Sequence, residues 1–303
     1  MKSQVETTVR DVSIAFYNLL RLKENLTIVS KNLEISRERF KYVQDRFDVG
    51  VAPKGELLQA NIDLNADVSD SIDKQMSYDN ALVEFERLIN LKSDAKFEIV
   101  GKFDVTNNYS VDSELSKVNS NTDVMITDKM IGLSEYDIES FKADYYPRLS
   151  LYGNLNYNRQ ESEAGFLRSN TSNGLNYGVN LSFSLFDGMR TSALIENAKV
   201  NKMTAELMMK DLVEQIKRAI IITCNNFNTY KELSAFEIQN TRSSEENIDL
   251  ALESLKLGLM SPIEFREIQR QNLNAQLRLL NTNYNIKINE IELERLTGSI
   301  IKN

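Results

Sequence analysis

The chain has 303 residues, a formal net charge of −8, no histidine, no tryptophan and a single cysteine, Cys224. Lack of histidine removes the commonest general base and metal ligand, one cysteine excludes an internal disulfide and a cysteine-rich metal centre, and the acidic balance disfavours nucleic acid. Only 11 glycines and 3 prolines punctuate the chain, a composition suited to long uninterrupted helices.

Residues 1–92 read as a helical hairpin. Val5, Val12, Leu19, Leu26, Leu33, Phe40 and Phe47 recur at every seventh position. Sustained heptad spacing predicts a helix over 3–48 that supercoils against neighbours. At 1.5 Å per residue it is roughly 70 Å long. Gly50 and Pro53 stop it, and a second helix is predicted over 56–91, closing an antiparallel pair. The chain opens directly in helix, with no apolar core after Lys2 to make a signal peptide. It is therefore expected either to stay in the cytoplasm or to be a piece of a longer precursor. No run of about 18 apolar residues marks a transmembrane helix.

Residues 93–121 lose periodicity and form a connecting region, with a short strand expected at 97–100. A helix follows over 122–146, ended by Pro147. The period then changes to two across 147–187. Leu149, Leu151, Leu155 and Tyr157 alternate with Ser and Asn. After a polar loop at 158–175, Tyr177, Val179, Leu181, Phe183 and Leu185 do the same. Each strand has one apolar and one polar, uncharged face. That pattern fits a transmembrane β-barrel strand or a soluble amphipathic hairpin, and alternation does not separate the two. A second helical hairpin occupies 188–297: a helix over 191–257 of roughly 100 Å, a tip, and a helix to Leu296. Residues 298–303 are a tail.

The two tips are copies. Gly50 and Gly258 lie 208 residues apart, as do Glu56 and Glu264, and Glu86-Arg87-Leu88 and Glu294-Arg295-Leu296. A duplication held without a gap means one supersecondary unit used twice, and such units stack on their own kind.

These runs carry a family resemblance. Arg46-Phe47-Asp48-Val49-Gly50-Val51 followed by Glu56-Leu57-Leu58, and Gly258-Leu259-Met260-Ser261 followed by Glu264-Phe265, resemble the periplasmic tips of the outer-membrane efflux family, the TolC-like exit ducts. Ala143-Asp144-Tyr145-Tyr146-Pro147 resembles that family's helix-to-strand passage, and Leu185-Phe186-Asp187-Gly188 its return. The likeness spans essentially the whole chain. It implies a mainly α protein with coiled-coil hairpins forming an α-barrel and a membrane-type β-hairpin in two structural repeats. It also implies a homotrimer in the outer membrane of a Gram-negative bacterium, its helices in the periplasm, that docks a periplasmic adaptor and an inner-membrane pump or ABC transporter. Its work would be passive export of drugs, toxins, metals or proteins, with no catalytic residue, cofactor or metal. The first repeat lacks the family's leading helix and strand pair, so the chain is expected to be incomplete.

By this resemblance Gly50, Val51, Ala52, Gly258, Leu259, Met260 and Ser261 would meet the adaptor, with Val51, Leu259 and Met260 exposed. The simpler reading is that Gly and Pro only end helices. Glu56, Glu264 and Glu267 would become an acidic ring at the periplasmic entrance, although an acid in a first turn also complements the helix dipole. Leu149, Leu151, Leu155, Tyr157, Tyr177, Val179, Leu181, Phe183 and Leu185 would face lipid, with Ser and Asn towards the lumen. Leu255 and Met260 stand where the family links its tips by polar contacts, and neither can form a charge pair. The competing reading is a soluble coiled-coil scaffold or periplasmic adaptor-like protein. An enzyme is weakest, since no phosphate loop or nucleophile motif is present.

Overall fold

The computed structural model describes residues 1–91, 98–104, 107–161 and 169–301. By packing, the chain forms two compact units: residues 1–123 with 213–303, and residues 124–212. Among the described residues no helix is long and apolar enough to cross a membrane.

The first unit is built from long helices. α1 (Lys2–Asp48) and α2 (Lys54–Leu88) run antiparallel, since Ser36 and Arg39 meet Asp67 and Asp63 near one end while Leu19 and Leu20 meet Phe85 near the other. Ile99 and Phe103, from the connecting segment, join that second cluster. This segment carries a short helix, α3 (Val111–Leu115), and one 3₁₀ turn. The strand expected at 97–100 does not form over 98–100, and residue 97 lies outside the described residues.

The second hairpin uses the later part of α5 (Arg190–Lys256) and α6 (Pro262–Leu296). Thr241 Oγ1 donates to the Ala275 carbonyl and Ser234 to Asn283, which fixes the antiparallel register. α6 lies between α5 and α1 and is the most enclosed long helix: Phe265, Leu280, Ile286, Ile291 and Leu293 are all buried.

The duplication extends to the backbone of the caps. At Gly50 (φ 79°) the Val51 N–H returns to the Arg46 carbonyl, and at Gly258 (φ 73°) the Leu259 N–H returns to Ser254. At the other end of each copy, Asn90 (φ 54°) and Gly298 (φ 70°) take the same left-handed turn, with Leu91 bonding to Glu86 and Ser299 to Glu294. These are Schellman closures, which need a residue at ease with positive φ. Asn90 explains why α2 stops at Leu88 and not at 91.

The second unit joins α4 (Thr122–Lys142) and the start of α5 through β1 (Arg148–Glu161) and β2 (Ser169–Ser182), two antiparallel strands of 14 residues each. Ile138, Ile195 and Ala198 form its small core, with Phe141 against it. The pairing runs from Arg148↔Ser182 to Glu161↔Ser169. The strands thus extend well into the loop expected at 158–175, because ladder bonds are backbone bonds and polar side chains do not end them; residues 162–168 lie outside the described residues. β2 in turn ends before Phe183 and Leu185. β1 begins just after Pro147, which has no N–H to give, so those two residues have no strand opposite them.

Candidate functional site

Three places concentrate chemistry: the two tips, a buried polar cluster beside them, and the faces of the β-hairpin.

At the first tip Val49 and Val51 are exposed, but Ala52 is only 6% exposed and its N–H bonds to the Arg46 carbonyl. At the second tip Leu259 is exposed, together with Leu257 and Ile263, which sequence reasoning did not single out. Met260 turns inward against a core of Ile248, Ala251, Leu255 and Phe265. Ala52 and Met260 are therefore scaffold for the tips, and the accessible apolar surface is Val49, Val51, Leu257, Leu259 and Ile263.

Ser261 caps α6 with a capping box. Its Oγ accepts from the Glu264 N–H at 3.2 Å and the Glu264 carboxylate accepts from the Ser261 N–H at 3.0 Å. Donation to the carboxylate from the Ser261 N–H first, and then from the Ser261 hydroxyl at 2.9 Å, holds the Glu264 carboxyl below the usual glutamate range. The sign follows: this stabilisation is present above the ordinary glutamate range and is lost as pH falls through the lowered value. Glu267 is also lowered, by Gln271 and then by Arg270, whose guanidinium lies 2.9 Å away. Both acids are exposed and stay ionised into mild acid. Glu56 differs: it is half-buried, and its Oε1 has no hydrogen-bond partner among the described residues.

Between about one and four turns from the helix ends at the tips, side chains from three helices converge in a cluster that heptad reading passes over. Arg39 donates to Asp63 at 2.8 Å. Arg266 grips Asp67 bidentately at 2.6 and 2.9 Å. Gln269 donates to Asn32 Oδ1 at 3.0 Å and to Ser36 at 2.7 Å, and Ser36 donates to Asp67 in a short bond. Ser36, Arg39 and Gln269 are almost fully enclosed. Burial pulls the Arg39 guanidinium below its ordinary value against the opposing pull of Asp63. The signal was available: Asn32, Ser36 and Arg39 form a polar stripe at i, i+4, i+7, and Asp63 and Asp67 stand at i, i+4. The cluster balances two guanidinium groups with two carboxylates, so it can hold α1, α2 and α6 in register without leaving net charge inside.

Cys224 is fully buried, its thiol pushed up by burial, and its Sγ reaches the Tyr109 carbonyl at 3.6 Å. This is a packing cysteine.

The hairpin register sorts its side chains. Leu149 pairs with Leu181, Leu151 with Val179, Gly153 with Tyr177 and Leu155 with Leu175, all on one face. Ser150, Asn154 and Asn156 pair with Asn180, Asn176 and Gly174 on the other. Both faces are exposed. Sequence reasoning missed Leu175, which it had assigned to the loop.

A family model described as outer membrane efflux protein matches residues 1–91 and 120–299. The chain is 23% identical over 256 residues to the alkaline protease secretion protein AprF of Pseudomonas aeruginosa, covering 82% of this chain and 51% of that one. It is 19% identical to the outer membrane protein TolC of Vibrio cholerae, covering 95% of this chain and 67% of that protein. The chain thus spans between half and two thirds of the length of these relatives. Among solved structures it is similar in fold to the outer membrane protein VceC of Vibrio cholerae, with a TM-score of 0.76 at 14% identity over 97% of this chain and 70% of that one. The open MtrE outer membrane channel of Neisseria gonorrhoeae gives 0.78 at 12% identity, over 100% and 68%. The relatives are secretion and channel proteins, not enzymes.

Proposed function

The chain belongs to the outer membrane efflux protein family, and from that membership we propose that it is the exit duct of a tripartite efflux or type I secretion assembly. The observation that carries this reading is the hairpin: two paired strands with Leu, Val and Tyr on one exposed face and Asn and Ser on the other, joined to helices of 21 and 67 residues. A strand pair apolar on one side and polar on the other suits a barrel wall between lipid and a wet lumen. Two strands leave unpaired edges, which hydrocarbon does not tolerate, so closure needs strands beyond this pair, those of symmetry-related copies among them. The protein therefore works as a homotrimer in the outer membrane, its helices in the periplasm.

Transport is passive. The exposed Val51, Leu257, Leu259 and Ile263 offer the adaptor and its inner-membrane pump a contact surface at the tips. Repeated by symmetry, the ionised Glu264 and Glu267 form rings that concentrate cations. Glu264→Gln with Glu267→Gln keeps the cap's hydrogen-bonding shape and removes the charge. In planar bilayers the full-length protein carrying this double change is expected to conduct with reduced cation preference; unchanged selectivity would remove the acidic ring from the account.

A further inference from the structure

Where the β-hairpin passes into its two helices, the chain forms an open cleft of about 770 Å³. Tyr145, Tyr146 and Arg148 line it on the incoming side, and Phe183, Phe186 and Arg190 on the outgoing side. Its charges are unevenly spent. Asp144 accepts from Arg148 at 2.7 Å. Asp187 accepts from the Thr191 N–H at 2.8 Å and so closes the start of α5. The Arg190 guanidinium is exposed and has no partner among the described residues. Two carboxylates thus match two guanidinium groups in number, yet a positive excess remains at Arg190. The surface beside it is apolar. Leu185 is 90% exposed, Phe186 86% and Met189 77%. Met189 also holds a φ of 66°, a conformation unfavourable for a residue with a Cβ and concentrated at ligand clamps and functional turns.

We propose that this cleft takes the headgroup phosphate of a membrane phospholipid, held by the Arg190 guanidinium with Arg148 beside it, while the acyl chains lie along Phe183, Leu185 and the apolar face of the hairpin. The inference rests on the exit-duct reading and names a ligand at the membrane boundary of that duct. A guanidinium presents a planar fork of N–H donors that matches two phosphate oxygens and stays charged at any working pH. Depth agrees. β2 advances about 20 Å from Leu175 to Leu181, or about 15 Å in depth at a tilt of about 40°, while a barrel's apolar band is about 25 Å tall. Phe183, Leu185 and Phe186 extend the band on the helix side, so the arginines stand at its edge, where headgroups lie. Free phosphate would use the guanidinium alone; the exposed Leu185, Phe186 and Met189 gain only from an apolar tail. The N-terminus of α5 is not the anion site, since Asp187 already occupies it.

Thermal unfolding of the delipidated full-length protein in detergent tests the site, with three separate additions: phosphatidylglycerol, diacylglycerol of the same acyl chains, and inorganic phosphate. Phosphatidylglycerol should raise the Tm by several degrees and saturate, and the other two should not. Arg190→Gln should shift that response to roughly tenfold higher lipid and leave the lipid-free Tm unchanged. No response to phosphatidylglycerol, or the same response in the variant, overturns the proposal. Equal stabilisation by diacylglycerol would reduce the site to its apolar surface, and by inorganic phosphate to a free-anion site; either overturns it as well. So does a lower lipid-free Tm for Arg190→Gln, which would mean that another part of the assembly holds the guanidinium. Any of these results from a protein that conducts leaves the exit-duct reading standing. A full-length protein that neither inserts into vesicles nor conducts overturns both.

Discussion

Gly50 and Gly298 both hold the left-handed turn that ends a helix, yet they are not equally replaceable. A Cβ on Gly50 would meet nothing within 4 Å, whereas a Cβ on Gly298 would sit 2.3 Å from the Ser120 carbonyl oxygen, which is backbone and cannot turn away. Gly50→Ala should cost about 1 kcal/mol of strain and Gly298→Ala upwards of about 2 kcal/mol, since a clash is added. Thermal denaturation of the two variants checks the order; equal losses would contradict it. Gly50 was legible as a stop because glycine answers to backbone geometry alone. Ala52 and Met260 were not, since whether a tip residue faces out or in depends on the neighbouring hairpin, which no local pattern records.

At the scale of the element, the long helices were legible nearly to their ends because heptads and caps are local signals: α1, expected over 3–48, runs Lys2–Asp48, and α6 ends at Leu296. The polar cluster was not. Its members are spread over three helices, and a stripe such as Asn32, Ser36, Arg39 reads as a solvated face until α6 covers it. Buried charge of this kind is costly to halve and cheap to remove whole. Asp67→Ala should lose about 3 kcal/mol by stranding Arg266, while Asp67→Leu combined with Arg266→Met should recover most of the loss. Denaturant unfolding of the single and double variants gives the coupling; additive losses would mean that the ion pair does not act as a unit.

For the whole molecule, alternation placed the apolar face correctly but not the strand ends. Polar residues 158–161 and 169–174 sit in the ladder all the same, and Phe183 and Leu185 outrun their partner strand. A face of Leu149, Leu151, Leu155, Leu175, Val179 and Leu181 left in water would be a liability; against hydrocarbon it is stabilising. Leu151→Arg should therefore lower barrel stability by about 2–4 kcal/mol in a bilayer if it lies near the midplane. In a water-exposed hairpin the same change would cost little, and folding titrations in lipid vesicles separate the two. The hairpin as membrane wall is the claim on which channel, oligomer and export all depend. The most direct test is single-channel recording of the purified full-length protein in planar lipid bilayers. Discrete, cation-preferring conductance steps from a detergent-extracted trimer are the expected result. A monomer that is released without detergent and adds no conductance would contradict the account and favour a soluble coiled-coil scaffold.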